Sequence, residues 1–385
     1  MHRYVLTEKQ SASNKTPRRI NRNLLFNFIR ARQPVSRADL ARLSGLQRST
    51  VSLIVEELIA DRWILEGAVG HLPRGRKPTL IQLNDQRAVI ALDIHPAQTT
   101  VAIADLGGKI VAQSVIVLPQ DSKKALAAII SGIRKMIAAH KSKTFDGIGI
   151  CLPGRTDLQL QKLIFAPNLK WPVLSIKSRI QRATGLPVAM DNVGNACALA
   201  EVWFGDSDRT HDLVVVNVSE GIGTGILANG QLIRGYSGLA GEFGHVEIQS
   251  DGPLCACGNY GCWETVASNR AALRYYKELV PSAAKPTFAH LLKLAQSEDQ
   301  PAVEALTKMA HQLGRGIRMI ATALAPGEIV VVGDITSVWH TFGPIVEAEM
   351  KKNSTSKLPI LRPAYDGNAA RLRSAVALFL SEGTV

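Results

Sequence analysis

The chain has 385 residues, 46% hydrophobic and 20% charged, which excludes a disordered or fibrous protein and leaves room for two or three buried cores. No run approaches the ~20 consecutive apolar residues of a membrane span, and the first residues lack the basic-then-apolar pattern of a secretory signal, so the cytoplasm is the expected compartment. The formal net charge of +13 is unevenly spread, because residues 1–90 hold 16 Lys and Arg against 7 Asp and Glu.

A basic module on a nearly balanced body favours double-stranded DNA as a partner, since Lys and Arg release the counterions condensed on its phosphates. A solvated basic tail is the plainer alternative. Residues 1–16, polar and poor in apolar side chains, read as a flexible arm, and residues 17–84 as a separate domain. Over 19–32, Ile20, Leu24, Leu25, Phe28 and Ile29 fall at helical spacing until Gln33-Pro34 stops the run. Ser36 then caps a short helix with Asp39 three positions on, and Ser44-Gly45 ends it. A second short helix starts near Gln47 and runs to about Ala60, which completes a helix-turn-helix pattern.

In such a pair the second helix enters the major groove and its first residues meet base edges. Those are Gln47, Arg48, Ser49, Thr50 and Ser52. Gln suits adenine, Arg suits guanine, and hydroxyls serve phosphates or bases. Strands at 63–65 and 79–83 flank a loop over 67–78, a wing whose tip Arg74-Gly75-Arg76-Lys77 suits a narrow minor groove. A small helical bundle that binds another protein is the competing reading.

Residues 88–385 change texture to alternating strands and helices, which predicts an α/β body. Strands are expected at 89–92, 110–112, 147–152, 187–190, 212–218 and 328–332. Helices are expected at 123–140, 194–204, 269–280, 287–297 and 301–324. Two βα halves with a similar opening hairpin would fit an internal duplication.

Three of the five cysteines crowd into one stretch, Cys255, Cys257 and Cys262, shortly after His245. One His and three Cys are the donor set of a closed tetrahedral Zn²⁺ site, structural because no position is left open. Gly258 and Gly261 would let the loop over 245–262 turn tightly enough. The alternative is three buried thiols without metal, and Cys151 and Cys197, each alone among apolar residues, read as core.

The string Gly-Glu-Phe-Gly-His over 241–245, the cysteine loop ending in Trp263-Glu264, Pro153-Gly154-Arg155, Asn168 to Trp171, Asp191 to Asn195 and the glycine loop over 221–225 together resemble the ROK family of repressors and sugar kinases. The resemblance covers nearly the whole chain, and the N-terminal module places it beside the repressor branch, whose members answer to xylose, glucose or N-acetylglucosamine. It implies an actin/hexokinase-like, ribonuclease H-like body of two lobes and a homodimer or homotetramer. It also implies zinc on His245, Cys255, Cys257 and Cys262, and a sugar held by Asn168, Asn192, Glu242, His245 and Glu264 beside Gly154 and Arg155. Sugar hydroxyls both donate and accept, so carboxylate, amide and imidazole groups suit them.

Against the kinases of that family, the slot of the general-base Asp holds Val193, and Asp191 would serve only if the register slipped by two. The first phosphate loop reads Asp93-Ile94-His95-Pro96, where a proline removes an amide donor, and Val332-Gly333-Asp334 lacks the usual glycine pair. The expected function is therefore a sugar-controlled, DNA-binding regulator without kinase activity. An active sugar kinase with an accessory DNA-binding domain, or a regulator answering to a protein partner, are the alternatives.

Overall fold

The computed structural model describes residues 15–69, 79–157, 162–166, 169, 171–205, 211–282, 286–352, 357–364 and 369–382. The chain divides into two compact units, one ending at Arg87 and the other Ala88–Glu382. Among the described residues no helix is long and apolar enough to cross a membrane.

In the first unit, the helices Lys15–Arg32, Arg37–Ser44 and Arg48–Ala60 pack around Leu25, Phe26, Ile29, Leu40, Val51, Ile54, Val55 and Leu58. Ser36 and Asp39 form a full capping box, the Ser36 side chain accepting from the Asp39 amide and the Asp39 carboxylate accepting from the Ser36 amide. Gly45 ends that helix at φ 68°, a left-handed turn that costs glycine little. Strands Val35–Ser36, Thr79–Leu83 and Ile64–Val69 form an antiparallel three-stranded sheet in that order. Trp63 is buried beneath it, edge-on to Phe26 and covered by the Arg87 guanidinium 3.8 Å from its ring centre.

Three sequence expectations are corrected here. Of the arm expected over 1–16, residues 1–14 lie outside the described residues, and the last two already belong to the helix Lys15–Arg32. Pro17 is compatible with that start because a first-turn residue needs no amide donor. The buried stripe of this helix includes Phe26, whereas Ile20 and Leu24, two of the apolar residues at helical spacing, are exposed. The strand before the wing continues through Gly67 to Val69, and the wing tip Arg74, Gly75, Arg76 and Lys77 lies outside the described residues.

The second unit is built on two five-stranded sheets of identical plan. One runs Val188–Asn192, Thr144–Leu152, Arg87–Ile94, Gln98–Asp105, Ile110–Val117; the other runs Gln231–Leu232, Ile222–Ala228, Leu213–Val218, Glu328–Val332, Ile360–Pro363. In each, a three-stranded antiparallel meander is followed by two strands added beside its first strand. This repeated order is what the suspected duplication requires. One apolar core lies between the first sheet and the helices Ser122–Ala139 and Ile176–Thr184, and the other packs the second sheet against Asn269–Leu279, Gln300–Leu324 and Trp339–Lys351.

Helices Val193–Phe204 and Ala369–Ser381 pack on each other and on both sheets. Their approach is backbone to backbone. A Cβ on Gly225 would lie 2.1 Å from the Gly194 carbonyl oxygen, and one on Gly149 would lie 1.7 Å from that of Ala375. The strand ends and helix starts of the two sheets thereby face one cleft.

Candidate functional site

The cleft encloses about 730 Å³ of empty space, part of it open to solvent. Gly154, Arg155, Asn192, Glu242, His245 and Glu264, the residues expected around a sugar, all line it. Asn168 lies outside the described residues.

Each of these is positioned by local chemistry. Asn192 ends its strand and caps the following helix, its Oδ1 accepting from the Asn195 amide at 2.8 Å. Glu242 follows Gly241, which sits at φ 88° so close to the Thr224 carbonyl oxygen that a Cβ would lie 2.6 Å from it. The Thr224 hydroxyl donates to the Gly241 carbonyl and pins that turn. Arg155 Nε lies 3.4 Å and His245 Nε2 3.6 Å from Glu242 Oε2. The imidazole therefore turns one nitrogen toward the cleft.

Its other nitrogen faces the cysteines. The ligand atoms of His245, Cys255, Cys257 and Cys262 all lie within 4.8 Å of one another. Nδ1 of His245 is 3.5 Å from Cys255 Sγ, and the sulfurs of Cys257 and Cys262 are 3.7 Å apart. Neighbouring thiolates on a tetrahedral ion with bonds of ~2.3 Å stand about 3.8 Å apart, so the cluster fits a metal with little movement.

The loop owes this convergence to its glycines. Gly258 sits at φ 98° in the turn closed by the Cys255 carbonyl, and a Cβ on Gly261 would lie 1.6 Å from the Gln249 carbonyl oxygen. Trp263, fully buried, anchors the loop by donating from Nε1 to the Gln312 carbonyl at 3.0 Å. Glu264, next in line, accepts from the Cys255 thiol at 3.0 Å and links the cysteine loop to the cleft wall. Burial pushes the Cys255 and Cys262 thiols up, Cys262 to about 11. Cys151 and Cys197 are buried outside the cluster, Cys197 pushed up by burial to about 12, as core thiols should be.

Sequence reasoning missed a buried polar cluster that reaches the cleft through Glu220. Arg371 Nε and Nη2 donate to Asp93 at 2.7 to 3.1 Å. His95 Nε2 lies 3.0 Å from Asp93 Oδ2, and its Nδ1 lies 3.2 Å from both oxygens of Glu220, which lines the cleft from the other sheet. Burial and Arg371 oppose a charge on His95, but the two carboxylates outweigh them and raise it to about 9. Burial would raise Glu220, yet His95 holds it down at about 2, and Asp93 likewise stays well below the usual carboxylate range. His95 was read only as a flaw in a phosphate loop. Its partner is 125 positions away, a separation that leaves no local signal.

Val193 lines the cleft in the slot named for a base. Asp191 does not line it. That residue is 1% exposed, its carboxylate accepting from Arg234 Nη2 at 3.1 Å, the Thr156 hydroxyl at 3.3 Å and the Asn195 amide group at 3.2 Å.

In the first unit, Gln47, Arg48 and Ser49 are exposed, and Thr50 and Ser52 partly so, at the start of the helix Arg48–Ala60. No acid lies in its first turn, while Glu56 and Glu57 further along pair with Arg37, Arg18 and Arg22. The positive end of the helix dipole and Arg48 thus face solvent together, which suits phosphates.

The sequence profile of the ROK family matches residues 89–382. The xylose repressor of Bacillus subtilis (strain 168) is 33% identical over 322 residues, 83% of each chain. A crystal structure of a ROK family transcriptional regulator, homolog of the E. coli MLC protein, superposes with a TM-score of 0.77 at 26% identity, covering 96% of this chain and 99% of that one. A ROK family glucokinase from Streptomyces griseus, solved with glucose and AMPPNP, superposes with a TM-score of 0.69 at 27% identity, covering 76% of this chain and 98% of its own. The chain belongs to the ROK family.

Proposed function

We propose that the chain is a sugar-controlled transcriptional repressor that reads an operator with its winged helix-turn-helix and holds its effector in the cleft of the two-sheet unit. The observation that carries this is the convergence of Gly154, Arg155, Asn192, Glu242, His245 and Glu264 on one cleft in a chain that also bears a helix whose exposed first turn is free of acids. The length match to a xylose repressor supports the same reading and makes D-xylose the first effector to try.

Gln47, Arg48, Ser49, Thr50 and Ser52 meet base edges and phosphates, and Arg74, Gly75, Arg76 and Lys77 form the wing tip. Asn168 joins the sugar-holding set. His245, Cys255, Cys257 and Cys262 hold a structural Zn²⁺, which supplies rigidity to the loop carrying His245 and Glu264. The protein acts as a homodimer or homotetramer. Effector binding favours one of two arrangements of its DNA-binding units, and operator affinity changes by the differential affinity for those states.

Phosphoryl transfer is not part of the function. No carboxylate occupies the slot at Val193, and the residue nearest in sequence, Asp191, is fully engaged. The test is a mobility shift on DNA upstream of sugar-utilisation genes, with and without D-xylose, D-glucose and N-acetyl-D-glucosamine. A band released by one of them is expected. Absence of any specific band at low salt, or steady ADP release with any of these sugars, would overturn the reading.

A further inference from the structure

One wall of the cleft is formed by Asn217, Ser219 and Glu220, at the turn between the strands Leu213–Val218 and Ile222–Ala228. Asn217 is 1% exposed, its Nδ2 donating to the Ser219 hydroxyl at 3.3 Å, while its Oδ1 has no partner among the described residues. A buried acceptor on a cleft wall calls for a donor from a ligand. A sugar hydroxyl supplies one; a phosphate dianion placed against this atom does not.

The charges beside it point the same way. Around Asp93, His95, Glu220 and Arg371, two cations face two carboxylates, so the cluster carries no surplus positive charge, although Arg371 Nη1 has no partner among the described residues. Asp334, the further acid facing this cluster, has its pKa raised by burial and adds no cation. Elsewhere on the wall, Arg155 already faces Glu242. The amide of Ser219 is spent on the Gly221 carbonyl at 2.9 Å, and Pro96 has none to give. A phosphate grip is built from free amides and unpaired cations, and at this turn the charged side chain that reaches the cleft is the Glu220 carboxylate.

We infer that this wall selects an uncharged, hydroxylated ligand and rejects phosphoryl groups, with Glu220 as the specificity-determining residue, so that the effector is a neutral sugar and not a sugar phosphate. The inference rests on the sugar-controlled reading and narrows it.

Calorimetry on the full chain with matched pairs tests it, using D-xylose, D-glucose and N-acetyl-D-glucosamine beside D-glucose 1-phosphate, D-glucose 6-phosphate and N-acetyl-D-glucosamine 6-phosphate. The sugar that binds is expected to outbind its phosphate esters at least about a hundredfold, as like charges brought together in a cleft require. In Glu220→Gln, checked for folding by its melting curve, that ratio falls about tenfold or more. If the variant does not fold, a salt series on the unsubstituted protein replaces it: the ratio narrows as salt screens the repulsion. An ester that binds as well as its parent sugar, or a ratio unmoved by both substitution and salt, overturns the inference and leaves the sugar reading standing. Silence from every sugar and ester, with operator binding intact, defeats the sugar reading and the inference with it.

Discussion

The Nδ1 atom of His95 stands 3.2 Å from both carboxylate oxygens of Glu220, joining a turn of the first sheet to a turn of the second. With its pKa raised from 6.5 to about 9, His95 contributes stability that is whole below pH 6.5 and is lost as pH rises through 9. Glu220, lowered from 4.5 to about 2, contributes above pH 4.5 and loses its share only as pH falls through 2. The pair is therefore strongest between pH 4.5 and 6.5, with Asp93 and Arg371 ionised throughout. Thermal unfolding of the larger unit should show a midpoint that declines from pH 6.5 to 9, and His95→Gln should flatten that decline. Identical slopes in both proteins would deny the pair a role in stability.

A second expectation concerns the cysteine loop. Protein prepared without chelator should contain about one zinc per chain, as a four-ligand closed site requires. Cys257→Ser should bring the metal content measured by plasma emission toward zero and blunt the response of operator binding to sugar. DNA binding without sugar should persist, because none of the four ligands belongs to the unit that ends at Arg87. Cys151→Ser, at a buried thiol outside the cluster, should keep its metal. Full zinc retention in Cys257→Ser would contradict the ligand assignment.

The third concerns recognition. Arg48 is exposed and lies in an acid-free first turn, so Arg48→Ala should leave the melting curve unchanged while weakening operator binding by about 1–3 kcal/mol. If Arg48 reads a base, the loss falls on specific and not on random DNA; equal losses on both, with a shallower salt dependence, would make it a phosphate contact.

What the sequence disclosed were features written within a few residues. The Ser36–Asp39 capping box, the Gly45 turn and the Gly258 turn of the cysteine loop each act over three or four positions and left a readable pattern. The six described residues expected around a sugar, which line one cleft, were singled out through motifs of the same short reach. Contacts closed by the fold left none. Arg371 meets Asp93 across 278 positions, and neither residue type nor spacing announces it. The helix Ala369–Ser381 escaped for another reason. Most of its residues are buried, so the polar face that marks an amphipathic helix is absent. In the first helix the opposite error arose, because an apolar period cannot tell that Ile20 and Leu24 face outward.

The last expectation separates the missing base at Val193 from the altered phosphate side, two of the departures from the family's kinases read in the sequence. A positioned general base is worth about 10²–10⁴-fold in rate, so if its loss alone silenced the chain, Val193→Asp would raise ADP release by that order. Val193 is 4% exposed and lines the cleft, and the substituted carboxylate would stand where a sugar hydroxyl could reach it. The phosphate side would be unchanged, with Pro96 lacking an amide proton and Glu220 held ionised against His95. A base without a phosphate cradle has nothing to transfer. A coupled ADP assay on Val193→Asp with D-xylose and D-glucose should stay at background, at a modest cost in stability for burying a charge. Turnover above background would mean that the Glu220 wall admits a nucleotide's phosphates, and the argument for a neutral ligand would fall with it.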